Sequence, residues 1–437
     1  MIEYANIVFY NEYTKYKINI EPNNSVYKIL SKEALIIETH GDSFCFKTVG
    51  FFMCEEKIIT VFPKGFYLTE NPVNDASILL RVLLRYRNSR NLEPEEKKML
   101  FGDTLFKNGR LVSAIALLDD YKSNGYLRKS YTSSSRKIGG FTDWNRTITT
   151  ITPLINNKRP IYADPVRRST FTDIDNILCK IHNSIITECI SLLGWLCELD
   201  SIDIQVLPMP VTCDEAVSII KKELRHTYVQ REIEVLKLML QYLSAKSGEQ
   251  ASQSIELLMT PFFHNTWEEI CGYLFENQYS ILKDIVPRPK WRSSKIKGTL
   301  SQRPDILYIH NNNLYILDAK YYDYSVTTPG WHDVVKQLFY RYTIERNIES
   351  KEALSNSLPD VTSIKNAFIL PENSCDDCIH LGSIYVENVQ ELGEIYVITI
   401  NLQKAMWQYA YREKSQYRSD LEQKIDLHDN EGSSVIT

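Results

Sequence analysis

Short apolar runs with period-two alternation dominate the first seventy positions. Ile7-Val8-Phe9-Tyr10, Ala34-Leu35-Ile36-Ile37 and Lys57-Ile58-Ile59-Thr60-Val61-Phe62 read as strands, and Pro63-Lys64-Gly65 as a turn. The period then lengthens. Ser77–Asn88 reads as an amphipathic, arginine-rich helix, and 171–199 and 213–243 as long helices with apolar stripes. Between them, 120–170 follows neither period and reads as irregular, being rich in Ser, Thr and Gly. Residues 244–254 have linker composition. Beyond 255 the pattern gives a helix, strands, a helix, further strands (Ala367–Leu370 and Ile395–Ile400) and a last helix around Lys404–Arg412. From about 416 the chain is polar and reads as a frayed tail. The expected fold class is a multidomain α+β protein. It comprises a strand-rich domain over 1–120, a basic and helical middle over 121–243, a linker at 244–254, an α/β domain over 255–415 and a tail over 416–437.

The densest chemistry lies in 303–322. Two β-rich runs flank Asn311-Asn312-Asn313, which predicts a hairpin. Pro304-Asp305 opens the first strand and Asp318-Ala319-Lys320 closes the second. Alternation places Asp318 and Lys320 on one face, and the hairpin lets Asp305 face Asp318. Two carboxylates and an ammonium are costly to bury on one sheet face unless they hold a metal or one another. The set suits Mg²⁺-dependent phosphodiester cleavage. Other acid-x-Lys triplets, such as Glu55-x-Lys57, end no apolar strand paired to a Pro-Asp strand. The order Pro-Asp, then Asp-x-Lys, matches the PD-(D/E)xK nuclease motif, and an α/β sandwich of restriction-endonuclease type is the expected setting.

Two flanking helices extend the site. Phe263, Trp267, Ile270 and Leu274 form one apolar stripe upstream. In PD-(D/E)xK enzymes a glutamate on this helix often completes the metal site, which makes Glu268 the candidate and Glu269 the runner-up. Downstream, after Pro329-Gly330, a helix over Trp331–Arg346 carries Gln337 and Tyr340 on one face, a common accessory pair in such nucleases.

A chain of 437 residues, 43% hydrophobic and 24% charged, is too long for one ordinary core. It holds no apolar run of the roughly 18 residues that a membrane span needs. Nine irregularly spaced cysteines suggest reduced thiols in a cytoplasm. Cys375-x-x-Cys378 with His380 supplies at most half a zinc site, and a loop with free thiols is the expectation. The net charge of −5 argues against indiscriminate nucleic-acid binding. The distribution is uneven, however. Residues 122–168 hold ten Lys or Arg against two acids, Asp143 and Asp164. Arg288, Lys290, Arg292, Lys295 and Lys297 lie just before Asp305 and are expected to hold DNA phosphates.

The chain resembles the McrC-like subunits of multi-component restriction systems, specifically the LlaJI-type restriction endonucleases. The resemblance covers most of the length. It rests on Val49-Gly50-Phe51-Phe52, Ile58–Gly65, Gly139-Gly140-Phe141-Thr142-Asp143-Trp144-Asn145-Arg146-Thr147-Ile148, and on Asp305, Asp318, Lys320, Gln337 and Tyr340. Phe141-Thr142 departs mildly from the family's usual aliphatic pair. The resemblance implies an N-terminal half that docks on and stimulates an AAA+ NTPase, a C-terminal half that cuts double-stranded DNA, and a cognate DNA methyltransferase in the same system. It makes Trp144, Asn145 and Arg146 structural or interface residues. The sequence holds no Walker-type Gly-x4-Gly-Lys-Ser/Thr, which fits a separate motor. The competing expectations are a repair nuclease of similar fold and a non-catalytic adaptor that binds DNA or regulates an NTPase.

Overall fold

The computed structural model describes residues 7–17, 31, 36–39, 43–54, 57–88, 92–101, 110–135, 140–173, 175–199, 205–247, 256–291, 302–350, 361–373 and 376–434. It is a mixed α/β protein with several sheets. Met1–Asp103 and Ser252–Thr437 form one compact unit, and Thr104–Ala251 form another. This differs from the expected separation of 1–120 from 255–415. The reason is a strand, Glu256–Thr260, that pairs antiparallel with Val49–Cys54. The second unit is thus inserted into the first.

In the first unit, a four-stranded sheet runs in the order Ile7–Asn11, Lys57–Phe62, Val49–Cys54, Glu256–Thr260. Phe52, Ile59, Val61 and Met259 bury one core against Phe44 and Phe46. Gly50 sits at φ +139°, and a Cβ there would lie 2.3 Å from Leu258 O, so only glycine admits the incoming strand. Pro72–Tyr86 is the arginine-rich helix, capped by the Asn71 side chain and started by proline.

The same unit carries a five-stranded sheet ordered Ile306–His310, Asn313–Ala319, Ser363–Glu372, Glu394–Asn401, Cys378–Tyr385. The outer pairings are antiparallel and the two inner ones parallel. A parallel pair needs a long crossover, and Trp331–Ser350 supplies it between the second and third strands. Leu307, Leu314 and Ile316 pack on Tyr340 and Ile344 of that helix.

Three local expectations change. Asn311 and Asn312 have φ of +46° and +63°, a two-residue turn, and Asn313 already pairs with His310. Cys378 opens a strand rather than lying in a loop, while Cys375 lies outside the described residues. Where composition suggests a polar tail, Tyr417–Ser434 is a helix. Its Tyr417, Leu421 and Ile425 recur at four-residue spacing and are buried, a stripe too sparse to stand out against the charged face.

The second unit holds helices Arg110–Asn124, Ile177–Leu193, Cys213–Leu224 and Gln230–Ser247. The long helix expected over 213–243 is therefore broken. The basic stretch expected to be irregular contains a three-stranded sheet, Ser130–Ser135, Arg167–Thr172 and Phe141–Thr142, and a hairpin, Leu154–Asn156 with Arg159–Ile161. These strands are largely exposed, so they show no apolar alternation. Among the described residues no helix is long and apolar enough to cross a membrane.

Candidate active site

The hairpin register sets Ile306 opposite Leu317, and one further step along the same pairing sets Asp305 opposite Asp318. Ala319 N–H donates to Asp305 Oδ2 at 3.2 Å, so the Asp305 carboxylate lies against the backbone beside Asp318. Asn277 Nδ2 fixes the Asp305 carbonyl at 2.7 Å. Asp318 is 1% exposed at the end of an apolar strand. Lys320 Nζ lies 2.6 Å from Asp318 Oδ2 and 2.9 Å from Asp333 Oδ1. Its backbone N–H donates to Ile369 O, which carries the strand pairing past Ala319 and keeps Lys320 on the Asp318 face.

The electrostatics follow from crowding. Burial, then Asp318 and Glu268, raise the Asp305 carboxyl well above the usual carboxylate range, while Lys336 and Lys320 pull it down. Burial, then Asp318, also raise Glu268, against Lys320 and Lys336. For Lys320, burial disfavours the charge, but Asp318 and Asp333 outweigh it and hold the ammonium pKa above its ordinary value. Three acids thus share a field that two lysines offset.

Glu268 follows Trp267, which is fully buried and directs Nε1–H to Ile369 O at 3.4 Å. Glu268 and Lys320 line a cavity of about 320 Å³; Asp305 and Asp318 are not in its wall. Among the described residues no three His, Cys, Asp or Glu side chains draw together as a closed ligand set. Two carboxylates suffice for an ion that keeps several waters, as Mg²⁺ does. Asp318 Oδ2 meets that need. It is buried, Lys320 Nζ stands 2.6 Å from it, and a carboxylate oxygen with two lone pairs can take an ion beside that contact. The hard oxygens of Asp305 and Asp318 therefore fit Mg²⁺.

Gln337 and Tyr340 are built into the scaffold. Gln337 is fully buried and its Nε2 donates to Ile316 O at 3.0 Å and Asn366 Oδ1 at 2.7 Å. Tyr340 donates to Arg303 O at 3.3 Å. Arg288 and Lys290 are exposed after the short 3-10 turn Lys283–Ile285. Arg292, Lys295 and Lys297 lie outside the described residues.

Sequence reasoning passed over Lys336 and Asp333. Lys336 Nζ lies 3.3 Å from Asp318 Oδ1, and Asp333 receives Lys320 and the Tyr322 hydroxyl. The signal was present: 333, 336, 337 and 340 share one helix face. It passed over a second group too. Tyr321 OH donates to Glu12 Oε2 at 2.9 Å and accepts from Lys64 N–H at 2.8 Å. Burial raises Glu12 to about 7 despite the Tyr321 bond and Lys64. No sequence spacing links positions 12, 64 and 321.

Residues 48–401 match the LlaJI restriction endonuclease family. The chain is 24% identical over 380 residues to the type II restriction enzyme BsuMI component YdjA of Bacillus subtilis (strain 168), covering 82% of this chain and 79% of that protein. It is also similar to a chain in a half-complex of Thermococcus gammatolerans McrB AAA+ hexamers with bound McrC. There the TM-score is 0.37 at 13% identity, over 93% of this chain and 99% of that one. A chain of the McrBC complex from the same organism gives a TM-score of 0.26 at 13% identity, over 65% and 89%.

Proposed function

Because the chain belongs to the LlaJI restriction endonuclease family, we propose that it is the DNA-cutting subunit of a multi-component restriction system, working in the cytoplasm with an AAA+ NTPase and alongside a cognate DNA methyltransferase. The observation that carries the reading is Asp305 opposite Asp318 across the hairpin, with Lys320 on Asp318. Asp305 and Asp318 would hold Mg²⁺, with Glu268 on the facing helix, in a PD-(D/E)xK-type domain. When bound, the ion supplies positive charge at the phosphate and acidifies water for attack.

The residues of the chain do the rest. Asp333 keeps Lys320 pointed at the site, so its ammonium faces the developing charge of the phosphorane. Lys336 offsets the carboxylate charge from the other side, which lowers the repulsion that an incoming phosphodiester meets. Gln337 ties the lysine-bearing helix to the sheet and preserves that geometry. Arg288, Lys290, Arg292, Lys295 and Lys297 precede Asp305 and would bind the DNA backbone.

Partner docking falls to the unit formed by Thr104–Ala251. Phe141, Trp144, Ile148, Leu154 and Ile155 are all exposed there, beside Arg146, Lys158 and Arg159. Exposed apolar side chains on two short strands and the helix Trp144–Thr150 suit a protein surface better than a DNA path. The relative's description as one component of a restriction enzyme agrees with a divided machine. The test is cleavage of unmodified duplex DNA by the chain with its genomic-neighbour NTPase, with and without Mg²⁺. Metal-dependent cleavage lost in Asp318→Asn supports the reading, and cleavage retained in that variant overturns it.

A further inference from the structure

The cavity that takes Glu268 and Lys320 from the carboxylate site takes its opposite wall from the N-terminal sheet, through Glu12, Tyr13 and Lys64. Lys64 follows the strand Lys57–Phe62 in the Phe62-Pro63-Lys64-Gly65 turn. Its backbone is pinned, since Lys64 N–H donates to the Tyr321 hydroxyl, which in turn donates to Glu12. Its side chain is placed, because Nζ stands 4.3 Å from the Tyr321 ring centroid, a cation–π contact. Tyr321 is the residue after Lys320, so the N-terminal turn is clamped to the strand that carries the candidate chemistry.

The charge of Lys64 is what sets it apart. Lys320 and Lys336 each lie within ion-pair distance of a carboxylate. Among the described residues, no carboxylate stands within ion-pair distance of Lys64 Nζ. An ammonium held on an aromatic face, in a cavity beside an acidic centre, keeps its hydrogen-bond donors for an incoming anion. The anion the proposed reaction brings is a phosphodiester.

We propose that Lys64 binds a backbone phosphate of the DNA being cut, so that the N-terminal sheet supplies one wall of the nuclease site, with Tyr321 and Glu12 as its positioning residues. This rests on the nuclease reading above. A bound phosphate contact adds a salt-dependent increment to affinity, with a slope near −0.9 in log K against log salt per contact on duplex DNA.

The test uses the full chain carrying Asp318→Asn, which binds without cutting, and a 30-base-pair duplex followed by fluorescence anisotropy across a KCl series. Lys64→Gln and Lys64→Arg both keep a long stem over the Tyr321 ring, and only the second keeps the charge. The expected result is a slope shallower by about one for Lys64→Gln, with Lys64→Arg close to the parent and all three unfolding at similar temperatures. An unchanged slope in Lys64→Gln, or a lowered melting temperature as its only effect, overturns the phosphate role and leaves the nuclease reading intact. Absence of any DNA binding by the parent overturns the phosphate role as well. Full cleavage by Asp318→Asn overturns the nuclease reading itself.

Discussion

Lys336 Nζ reaches Asp318 Oδ1 at 3.3 Å, so the helix Trp331–Ser350 brings a second ammonium to a carboxylate that Lys320 already meets at 2.6 Å. Two ammonium groups therefore offset the negative charge at Asp318. At Asp305, burial and the acidic neighbours push the proton affinity up. A divalent cation bound at Asp305 would therefore compete with a proton.

Asp305→Asn and Asp318→Asn should each reduce cleavage on the order of 10³-fold, the scale seen when a preorganised electrostatic group is lost. Each variant keeps side-chain volume. The check is a cleavage time course beside a thermal melt, and near-native cleavage with either substitution would remove that residue from the site.

Lys320→Ala should lose rate but keep Mg²⁺ affinity, because the ammonium faces water and phosphate rather than the ion. Asp333→Asn should give a smaller loss, since it only loosens Lys320. Calorimetric Mg²⁺ titration separates the two roles. A loss of metal affinity in Lys320→Ala as complete as in Asp318→Asn would contradict the assignment.

Much of this centre was legible in sequence because it is local. A hairpin fixes which residues oppose one another, so Asp305 and Asp318 follow from alternation and a turn. Trp267, Ile270 and Leu274 are buried as their spacing implied. The contributions of Glu12 and Lys64 were invisible because they arise from tertiary approach across more than 250 positions, which no period encodes. The same applies to Glu256–Thr260. Its apolar run reads as part of the following domain, and only pairing with Val49–Cys54 shows that it closes the N-terminal sheet.

Gln337→Leu should destabilise the first unit by about 1–3 kcal/mol, the cost of leaving buried acceptors unpaired. Ile316 O and Asn366 Oδ1 both lose a donor. Equilibrium urea unfolding measures this. An unchanged midpoint would mean that the helix is held by apolar packing alone.

A pH effect is expected in the unit formed by Thr104–Ala251. His182 is fully buried, accepts from Leu127 N–H at 3.3 Å, and is pushed down to about 4 by burial, against Asp120. The unfolded chain takes up the proton near 6.5 and the folded unit does not. Stability is thus fully present above about 6.5 and falls as pH drops towards 4, by at most about 3 kcal/mol. Unfolding midpoints of native chain and His182→Gln from pH 7 to 4 should converge as pH falls. Parallel curves would show that His182 does not carry the dependence.

The inserted architecture makes its own prediction about fragments. Sequence composition suggests cutting at 244–254 to separate a docking half from a nuclease half. In the structure that cut removes Glu256–Thr260 from its partner strand Val49–Cys54. Leu258 and Met259, both fully buried, would then face water. Exposing side chains of this size costs about 1.5–3 kcal/mol each, a large share of a domain's 5–15 kcal/mol. A fragment of 252–437 should therefore be poorly folded and inactive for a structural reason rather than for want of a tether. Residues 1–103 joined directly to 252–437 through a short Gly/Ser linker should instead unfold cooperatively. That chimera should bind Mg²⁺ with the affinity of the full chain and fail to stimulate the partner NTPase, which 104–251 is proposed to contact. Far-UV circular dichroism and thermal melts of both proteins decide the matter. A fragment of 252–437 that melts as sharply as the chimera would show that the N-terminal sheet is dispensable to the site.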